Sequence, residues 1–569
     1  MPIVLCEQRQ RLLATEGHIV VRGGAGSGKT TIALAKACEE LAANRLGITG
    51  KALFVSFARA TVARVAEQAT ASLPRDQLAR IEINTYHGFA WSILRSHAYL
   101  LGTRAGVSLL LPAQERSRLA GLTDEERVLE KRRLFEEEGL VAFDLFPTLL
   151  AELLDQLPVL SRAVGDAYPV IILDEFQDTS AEEWEMVLRL GRHSTLIALG
   201  DPKQRIYDFK GADPRRFDDF IEAFTPVVFD FASENNRSVG TDIPLFADAL
   251  ISGGYRPEPY AGVSVVRYGG RGLHPLKQLV LRTAGRYRRR PEWSVAVLVP
   301  SNKLAANVYD YMRREAHGLP RYAIDIAVSM EGPTLAAMLI ALLLEPSSSR
   351  DDRGAQVLEA MALFEVGRKE RAKATAIETS RKRRALAEKV RLRGEGAYGR
   401  GVGAGVRQLV SDVEALQLQG DPFSDWLAVR ALLEGSARPE LKAIATEARY
   451  MRLLRRGAQI EARLAEAWRN DGAYLNAREL LRAALVEDQF SATSRAQQGV
   501  VVMTIHKAKG KEFDEVIVFE DQYNRYHYDR GPDSERSSRF NLHVATTRAR
   551  TAVSVMTPAQ DPCPLLPQG

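Results

Sequence analysis

Short apolar runs along the chain predict the buried strands of an α/β protein. His18–Arg22 and Val170–Leu173 are apolar stretches of strand length, and each leads through polar or glycine-rich residues into a helical pattern. Ala52–Phe57 and Leu196–Leu199 have the same character. Because apolar strands that alternate with helices are buried on both faces, we expect all four segments in one parallel, doubly wound sheet.

A second alternating region lies further along the chain. It starts at Ser294–Val299 and resumes at Val500–Met503 and Glu515–Phe519. Two long stretches interrupt the alternating patterns, at 91–167 and 346–497, and both are rich in Leu, Ala, Glu and Arg with helical spacing. The pattern therefore predicts two α/β cores, each with a mostly helical insertion.

Length and composition indicate an ordinary multidomain globular protein. The 569 residues are 46% apolar and 26% charged, and this length exceeds what one hydrophobic core supports. The cysteines Cys6, Cys38 and Cys563 have neither the density of a disulfide scaffold nor metal-ligand spacing. No signal-like segment follows Met1, and the longest apolar run, Leu335–Leu344, is too short to span a bilayer. We therefore expect a cytosolic protein.

The distribution of charge is more informative than the net charge of +5. Between Gly367 and Arg393 there are eleven Lys or Arg residues against three Glu, just before a predicted loop at Gly394–Gly405. Such a run attracts phosphate groups. Two interpretations of this basic stretch are equally supported: a solvated helix face, or a surface that contacts duplex DNA or a partner protein.

A glycine-rich segment directly after the first predicted strand carries the strongest chemical signal. Gly23–Thr30 reads GGAGSGKT, the pattern of a phosphate-binding loop that opens a helix. Glycines let backbone N–H groups approach phosphate oxygens, Lys29 reaches the β- and γ-phosphates, and Thr30 holds Mg²⁺. The alternative, an accidental glycine-rich turn, does not explain this context. The predicted nucleotide-binding residues here are Gly24, Ala25, Gly26, Ser27, Gly28, Lys29, Thr30 and Thr31.

Two carboxylates follow the predicted strand Val170–Leu173. Asp174 is expected to bind Mg²⁺ through water, and Glu175 to orient or deprotonate the attacking water. An apolar run that ends in Asp-Glu is, by itself, more often a strand that stops at solvent. The phosphate-binding loop elsewhere in the chain favours the catalytic interpretation, with ATP and Mg²⁺ as the cofactors.

Further motifs give the chain a close resemblance to the UvrD/Rep/PcrA-like superfamily 1 helicases. They occur in the family's order and span nearly the whole sequence. The resemblance rests on Gln8, Gly23–Thr30, Thr85–Ala90, Asp174–Asp178, Gly200–Ala212, Asn235–Ser238, Thr504–Asp514 and Val544–Arg550.

The resemblance implies a fold of two RecA-like cores with parallel, doubly wound sheets. The implied domains are a first core at 1–91 and 168–233 with an insertion at 92–167, and a second core at 234–346 and 498–569 with a basic insertion at 347–497. Both insertions look shorter than those of full-length relatives, which argues against processive unwinding.

The resemblance also implies roles in nucleotide chemistry. Gln8 would read adenine, and Gln204 would sense the γ-phosphate and couple it to DNA. Arg237 and Arg548 would be arginine fingers that the second core delivers across the cleft, and they would act together with Lys29 and Glu175 in catalysis. Further nucleotide contacts are implied for Gly510 and Glu512.

Contacts to DNA are implied for a set of aromatic and histidine side chains. Stacking on aromatic rings suits a protein that must move along any sequence, because every base has a π-face. The implied DNA-binding residues are Phe57, Tyr86, His87, Tyr207, Phe209 and His506, with Phe89 as a further stacking candidate.

The sequence departs from the family at several motif positions. The two positions that usually sandwich adenine hold Thr31 and Asn236, so we expect poor discrimination among nucleoside triphosphates. Motif Ia is altered at Ser56–Ala60. Lys507 and Lys511 add positive charge that either strengthens phosphate binding or lies on a solvated edge.

Three functions compete at this point. The first is an ATP-driven single-stranded-DNA translocase and helicase that moves 3′ to 5′, as the resemblance implies, and acts at single/double-strand junctions. The second is a DNA-sensing regulatory ATPase inside a larger assembly, for example with a nuclease in bacterial defence. The third, an unrelated phosphate-loop kinase or GTPase, gives Arg237 and Arg548 no role. No nuclease-like cluster follows Arg550, so we expect any DNA cutting to come from another subunit.

Overall fold

The chain forms two compact units in the computed structural model. The structure describes residues 6–24, 26–57, 59–103, 106–201, 213, 215–231, 238–270, 272–290, 292–327, 331–368, 372–451, 459–490, 498–526 and 532–567. Unit 1 comprises Met1–Ile93, Pro147–Val328 and Ala492–Gly569, and unit 2 comprises Leu94–Phe146 and Ser329–Ser491.

Fourteen strands are present in the described residues. They are β1 (Ile19–Arg22), β2 (Ala52–Ser56), β3 (Ile81–Thr85), β4 (Ser108–Leu109), β5 (Leu140–Val141), β6 (Val170–Leu173), β7 (Thr195–Gly200), β8 (Val227–Asp230), β9 (Val263–Tyr268), β10 (Ser294–Val299), β11 (Asp325–Ala327), β12 (Gly499–Thr504), β13 (Phe513–Phe519) and β14 (Ala549–Pro558).

The α-helices of the described residues alternate with these strands in unit 1 and dominate unit 2. They are α1 (Glu7–Ala14), α2 (Lys29–Ala42), α3 (Arg59–Ser72), α4 (Arg75–Leu78), α5 (Tyr86–His97), α6 (Pro112–Arg118), α7 (Asp124–Glu138), α8 (Phe146–Gln156), α9 (Pro158–Ala167), α10 (Ala181–Leu190), α11 (Arg216–Phe224), α12 (Ile243–Ser252), α13 (Leu273–Tyr287), α14 (Asn302–Met312), α15 (Glu331–Leu344), α16 (Arg350–Gly367), α17 (Ala374–Arg393), α18 (Val402–Glu414), α19 (Pro422–Gly435), α20 (Pro439–Ala448), α21 (Gln459–Asp471), α22 (Ala477–Phe490), α23 (Ile505–Ala508) and α24 (Pro532–Thr546).

Unit 1 contains two parallel six-stranded sheets. The first has the order β3-β2-β6-β7-β1-β8 and defines the first lobe, and the second has the order β11-β12-β10-β13-β14-β9 and defines the second lobe. All strand pairs in both sheets are parallel. The predicted strands all form and lie in the expected sheets, which confirms the α/β fold with two parallel cores.

The amino-acid sequence explains why the strands of the first lobe lie where they do. Strand β1 pairs with β7 on one side and β8 on the other, and its Ile19, Val20 and Val21 are fully buried. The four residues of β6 are likewise buried. A central parallel strand covered by helices on both faces has no solvent-exposed face, so its residues are apolar without alternation.

Unit 2 is mainly helical, and its described residues include one short parallel pair, β4 and β5. Residues from both predicted insertions form this unit together. Its limits differ from the domain limits implied by the family: α9 and all of α8 after Phe146 belong to unit 1, and α15 belongs to unit 2. Eleven residues of α15 are buried, so this apolar helix is a core element of unit 2. Among the described residues, no helix is long and apolar enough to cross a membrane.

The predicted loop at Gly394–Gly405 was wrong at both ends, because Gly394–Ala397 form a 3₁₀ helix and α18 begins at Val402. A Cβ atom on Gly403 would lie 2.0 Å from the carbonyl oxygen of Tyr398, and one on Gly405 would lie 2.5 Å from the side chain of Arg438. These glycines therefore serve close packing within a helix, and glycine content alone could not distinguish this from a loop.

Candidate nucleotide-binding site

The phosphate-binding loop joins β1 to α2 at the carboxyl edge of the first sheet. Gly26 has a φ of 79° and Gly28 a φ of 85°, values that favour glycine. The ammonium group of Lys29 donates to the carbonyl oxygens of Gly23, at 2.6 Å, and Gly24, at 3.0 Å. Thr30 lies half-buried in the first turn of α2. The N–H groups at the start of a helix and the Lys29 ammonium make the loop suited to bind phosphate.

Arg9 anchors the loop, and sequence reasoning missed it. Its side chain is 4% exposed, donates to the carbonyl oxygen of Ser27 at 3.1 Å, and lies over the ring of Phe231 at 5.5 Å. The one indication in the sequence was that Arg9 directly follows Gln8, a predicted nucleotide contact. Gln8 is exposed and donates to the carbonyl oxygen of Asp230 at 3.1 Å. The N-terminal helix α1 is thereby attached to both the loop and the end of β8.

Thr31 occupies a position where the related helicases usually have a side chain that stacks on adenine. The hydroxyl oxygen of Thr31 accepts a hydrogen bond from the Gln68 amide of α3 at 3.0 Å. Thr31 is therefore occupied in linking α2 to α3.

Asp174 and Glu175 lie at the carboxyl end of β6, next to β2. Ser56 donates to Oδ2 of Asp174 at 2.9 Å, and the backbone N–H of Asp174 donates to the carbonyl oxygen of Val55 at 2.8 Å. Glu175 has a φ of 55°, which is unusual for a residue other than glycine. Backbone strain of this kind clusters at functional sites.

The two carboxyl groups have opposite pKa shifts. Burial and the neighbouring Glu175 charge raise the pKa of Asp174 to about 7, against the opposing effects of Ser56, Arg64 and Lys29. Burial also raises the pKa of Glu175, but Lys509, Lys29, Gln177 and Arg548 together bring it below its ordinary value. Two adjacent carboxylates, of which Asp174 is buried and has a raised pKa, favour a bound cation.

The donor types of Thr30 and Asp174 fit a magnesium ion. Both supply oxygen donors, which Mg²⁺ prefers, and both lie at the carboxyl edge of the first sheet. Ser56 holds one oxygen of Asp174 and thereby orients the carboxylate.

Gln177 connects the carboxylates to the next strand, and sequence reasoning assigned it no role. Its amide nitrogen donates to Oε2 of Glu175 at 2.6 Å, and its amide oxygen accepts from the N–H of Asp201 at 3.1 Å. A Cβ on Gly200 would lie 2.3 Å from that amide oxygen, so a larger residue at this position would displace the Gln177 amide. Gln177 thus links Glu175 to the end of β7.

The second lobe brings two cations to this edge. Lys509, just after α23, forms a buried ion pair with Asp178 of the first lobe, with side chains 3% and 0% exposed. Arg548 is 2% exposed, and its guanidinium donates to the carbonyl oxygen of Val544 at 3.0 Å and to the Thr547 hydroxyl at 3.2 Å. Both charges contribute to lowering the pKa of Glu175. Lys509 lies inside the motif Thr504–Asp514, but the sequence analysis assigned it no role.

Gly510 and Glu512 lie directly beyond Lys509. Gly510 has a φ of 75°, and Glu512 accepts from Arg64 of the first lobe and from Arg550 of its own lobe at 3.4 Å. Gly510, Glu512 and Arg64 line a cavity of about 290 Å³ at the boundary of the two lobes. The structure therefore brings these residues of the second lobe against α3 of the first.

The residues implied in DNA binding lie in different environments. The ring of Tyr86 is 1% exposed and stacks on that of Phe57, with centroids 4.3 Å apart, and Phe89 is 1% exposed. Base stacking by Tyr86 and Phe89 does not fit this burial, because their faces are covered by the protein core. Phe57 is half-buried and His506 is exposed, while His87 Nδ1 lies 3.9 Å from Glu183. Stacking by Phe57 stays a prediction.

Several expected site residues lie outside the described residues. They are Ala25, Gln204, Tyr207, Phe209, Asn236 and Arg237.

Comparison with known protein families gives matches over both lobes. Residues 6–138 and 130–225 match the UvrD/REP helicase N-terminal domain, and residues 499–556 match the UvrD-like helicase C-terminal domain. These matches cover the phosphate-binding loop, the acidic pair and both cations of the second lobe.

Similar curated proteins include bacterial DNA helicases and a RecBCD subunit. ATP-dependent DNA helicase PcrA of Staphylococcus aureus is 23% identical over 283 residues, covering 41% of this chain and 38% of the relative. ATP-dependent DNA helicase UvrD1 of Mycobacterium bovis is 24% identical over 288 residues, covering 41% and 37%. RecBCD enzyme subunit RecB of Mycolicibacterium smegmatis is 36% identical over 104 residues, covering 18% and 9%. The chain thus matches well under half the length of each of these relatives.

Proposed function

Because the chain belongs to the UvrD/Rep/PcrA-like helicase family, we propose that it is an ATP-dependent DNA translocase and helicase that moves 3′ to 5′ on single-stranded DNA. Single-stranded DNA and single/double-strand junctions are its substrates in this proposal. A cytoplasmic location belongs to the same proposal, in keeping with the three free cysteines.

One observation carries the proposal: cations from the second lobe act on the carboxylate that follows β6 of the first. Lys509 pairs with Asp178, and both Lys509 and Arg548 lower the pKa of Glu175. A nucleotide held by the loop at Lys29 therefore lies where residues of both lobes reach it. Such a cleft converts nucleotide binding and release into relative movement of the two lobes.

The proposed chemistry assigns a step to each residue at this edge. Lys29 and the N–H groups of α2 hold the β- and γ-phosphates. Thr30 and Asp174 would hold Mg²⁺, which would neutralise charge on the phosphate oxygens. Glu175, kept ionised by the surrounding cations and held by Gln177, orients the attacking water and accepts its proton. Arg548 stabilises charge on the transferred phosphoryl group when the lobes close.

Hydrolysis and strand displacement test the proposal directly. ATP turnover should rise on addition of single-stranded DNA, and a 3′-tailed duplex should be separated while a 5′-tailed duplex is not. Lys29→Ala and Glu175→Gln should abolish turnover, while Glu175→Gln still binds nucleotide. Steady hydrolysis by Lys29→Ala would refute the assignment of the loop, and displacement only from the 5′-tailed duplex would refute the polarity.

The similarity to RecB favours a second candidate function. RecB is by name a subunit of the RecBCD enzyme. Of the three relatives described above, it has the highest identity to this chain, over 104 residues. The alternative is a DNA-sensing regulatory ATPase that works with a partner protein such as a nuclease. DNA-stimulated hydrolysis without strand displacement, which a partner then restores, would favour this second function over the first.

A further inference from the structure

Arg64 on α3 is a charged residue of the lobe boundary that no sequence motif singled out. Its guanidinium pairs with Oε1 of Glu512, while Oε2 of Glu512 lies 3.4 Å from Nε and Nη2 of Arg550. Arg64 belongs to the first lobe, and the other two residues belong to the second. One carboxylate is therefore shared between a cation from each lobe.

The surroundings of Arg64 connect it to the expected nucleotide contacts of the second lobe. The Arg64 and Glu512 side chains are 34% and 16% exposed and line the cavity at the lobe boundary. Gly510, for which a nucleotide contact is also expected, lines the same cavity. Arg64 thus lies on the first-lobe side of a cavity whose second-lobe side holds two expected nucleotide contacts.

We propose that Arg64 is a positioning residue that stabilises the closed lobes around bound nucleotide through its ion pair with Glu512. This inference rests on the proposed function. When the lobes separate, the Arg64–Glu512 pair breaks, whereas the Arg550–Glu512 pair stays intact inside the second lobe. Of these two pairs, only Arg64–Glu512 therefore contributes to the closure equilibrium, and closure strengthens nucleotide binding.

The partly exposed pair sets the size and the salt dependence of the effect. Ion pairs of this exposure contribute up to about 1 kcal/mol, so loss of Arg64 should raise the KM for ATP roughly two- to fivefold at low salt. Screening reduces the interaction as ionic strength rises, so the effect should shrink at high salt. A purely structural role of Arg64 would not produce that salt dependence.

The experiment measures KM and kcat for ATP with saturating single-stranded DNA, at low and at high salt. Arg64→Ala should raise KM with kcat within twofold of the wild type, and Arg64→Lys should restore most of the loss. The double variant Arg64→Ala with Glu512→Gln should be no worse than Glu512→Gln alone. Arg550→Ala, the matched control that removes a cation from the same carboxylate within one lobe, should change KM less than twofold.

The outcomes separate this inference from the function on which it rests. An unchanged KM for Arg64→Ala at low salt, or additive effects in the double variant, would overturn the role of Arg64 while leaving the ATPase intact. A wild-type protein without DNA-stimulated hydrolysis would overturn the proposed function itself. A shift for Arg550→Ala as large as that for Arg64→Ala would show that the carboxylate, and not the contact between lobes, determines KM.

Discussion

Replacing Lys509 by methionine removes one half of a buried ion pair between the lobes. The Lys509 ammonium contacts Oδ2 of Asp178, and the two side chains are 3% and 0% exposed. Methionine keeps the apolar length of the lysine side chain but leaves the Asp178 carboxylate buried without its cation. Breaking a buried pair in this way costs about 3–5 kcal/mol. At about 2 °C per kcal/mol, the thermal transition of unit 1 should fall by about 6–10 °C.

A second variant separates the ion pair's effect on stability from its effect on activity. Lys509→Met combined with Asp178→Leu replaces the pair by two apolar side chains, an exchange that is often neutral or stabilising for a buried pair. The double variant should therefore melt within about 2 °C of the wild type, since no buried charge is left uncompensated. ATP turnover should stay low in both variants, because Glu175 has lost the cation that most lowers its pKa.

Scanning calorimetry gives the transition temperatures, and steady-state ATP hydrolysis with single-stranded DNA gives the turnover. If Lys509→Met melts within 2 °C of the wild type, the pair is not buried between the lobes as the structure has it. If the double variant melts as low as the single variant, the loss reflects the packing of the lysine side chain and not the uncompensated carboxylate.

Four further predictions follow from the same edge of the first sheet. Arg9→Ala should weaken nucleotide binding about tenfold, measured with a fluorescent ATP analogue, because the hydrogen bond from a buried charged donor to Ser27 is lost; binding within twofold of wild type would contradict this. Gln177→Ala should lower kcat at least tenfold with little change in KM, since Glu175 loses its positioning partner; a shift confined to KM would argue for a binding role. Ser56→Ala should raise the Mg²⁺ concentration for half-maximal hydrolysis about tenfold, because it orients Asp174; an unchanged Mg²⁺ requirement would count against that site. GTP should be hydrolysed with an efficiency within tenfold of that for ATP, because Thr31 is occupied by Gln68 and offers no base-stacking face.

The predicted strands illustrate how far apolar patterning reaches. The predicted bounds of the strands Val170–Leu173 and Ser294–Val299 agree with the structure at every residue. A strand that is buried on both faces has a continuous apolar run, which can be recognised without knowing the neighbouring strands. Helix packing has no such signature. The assignment of α15 to unit 2 and of α8 to unit 1 depends on which neighbouring surface buries each apolar face, and that neighbour is distant in sequence.

The amino-acid sequence by itself determined the two parallel cores, the phosphate-binding loop at Lys29, the acidic pair at Asp174 and the family. These features depend on local spacing: apolar runs, glycines before a helix, and carboxylates directly after a strand. Only the tertiary structure showed that Tyr86 is buried behind Phe57 and that Arg64 and Lys509 join the two lobes. An ion pair between residues 331 or more positions apart leaves no trace in local composition, because its partners meet only when both sheets have formed.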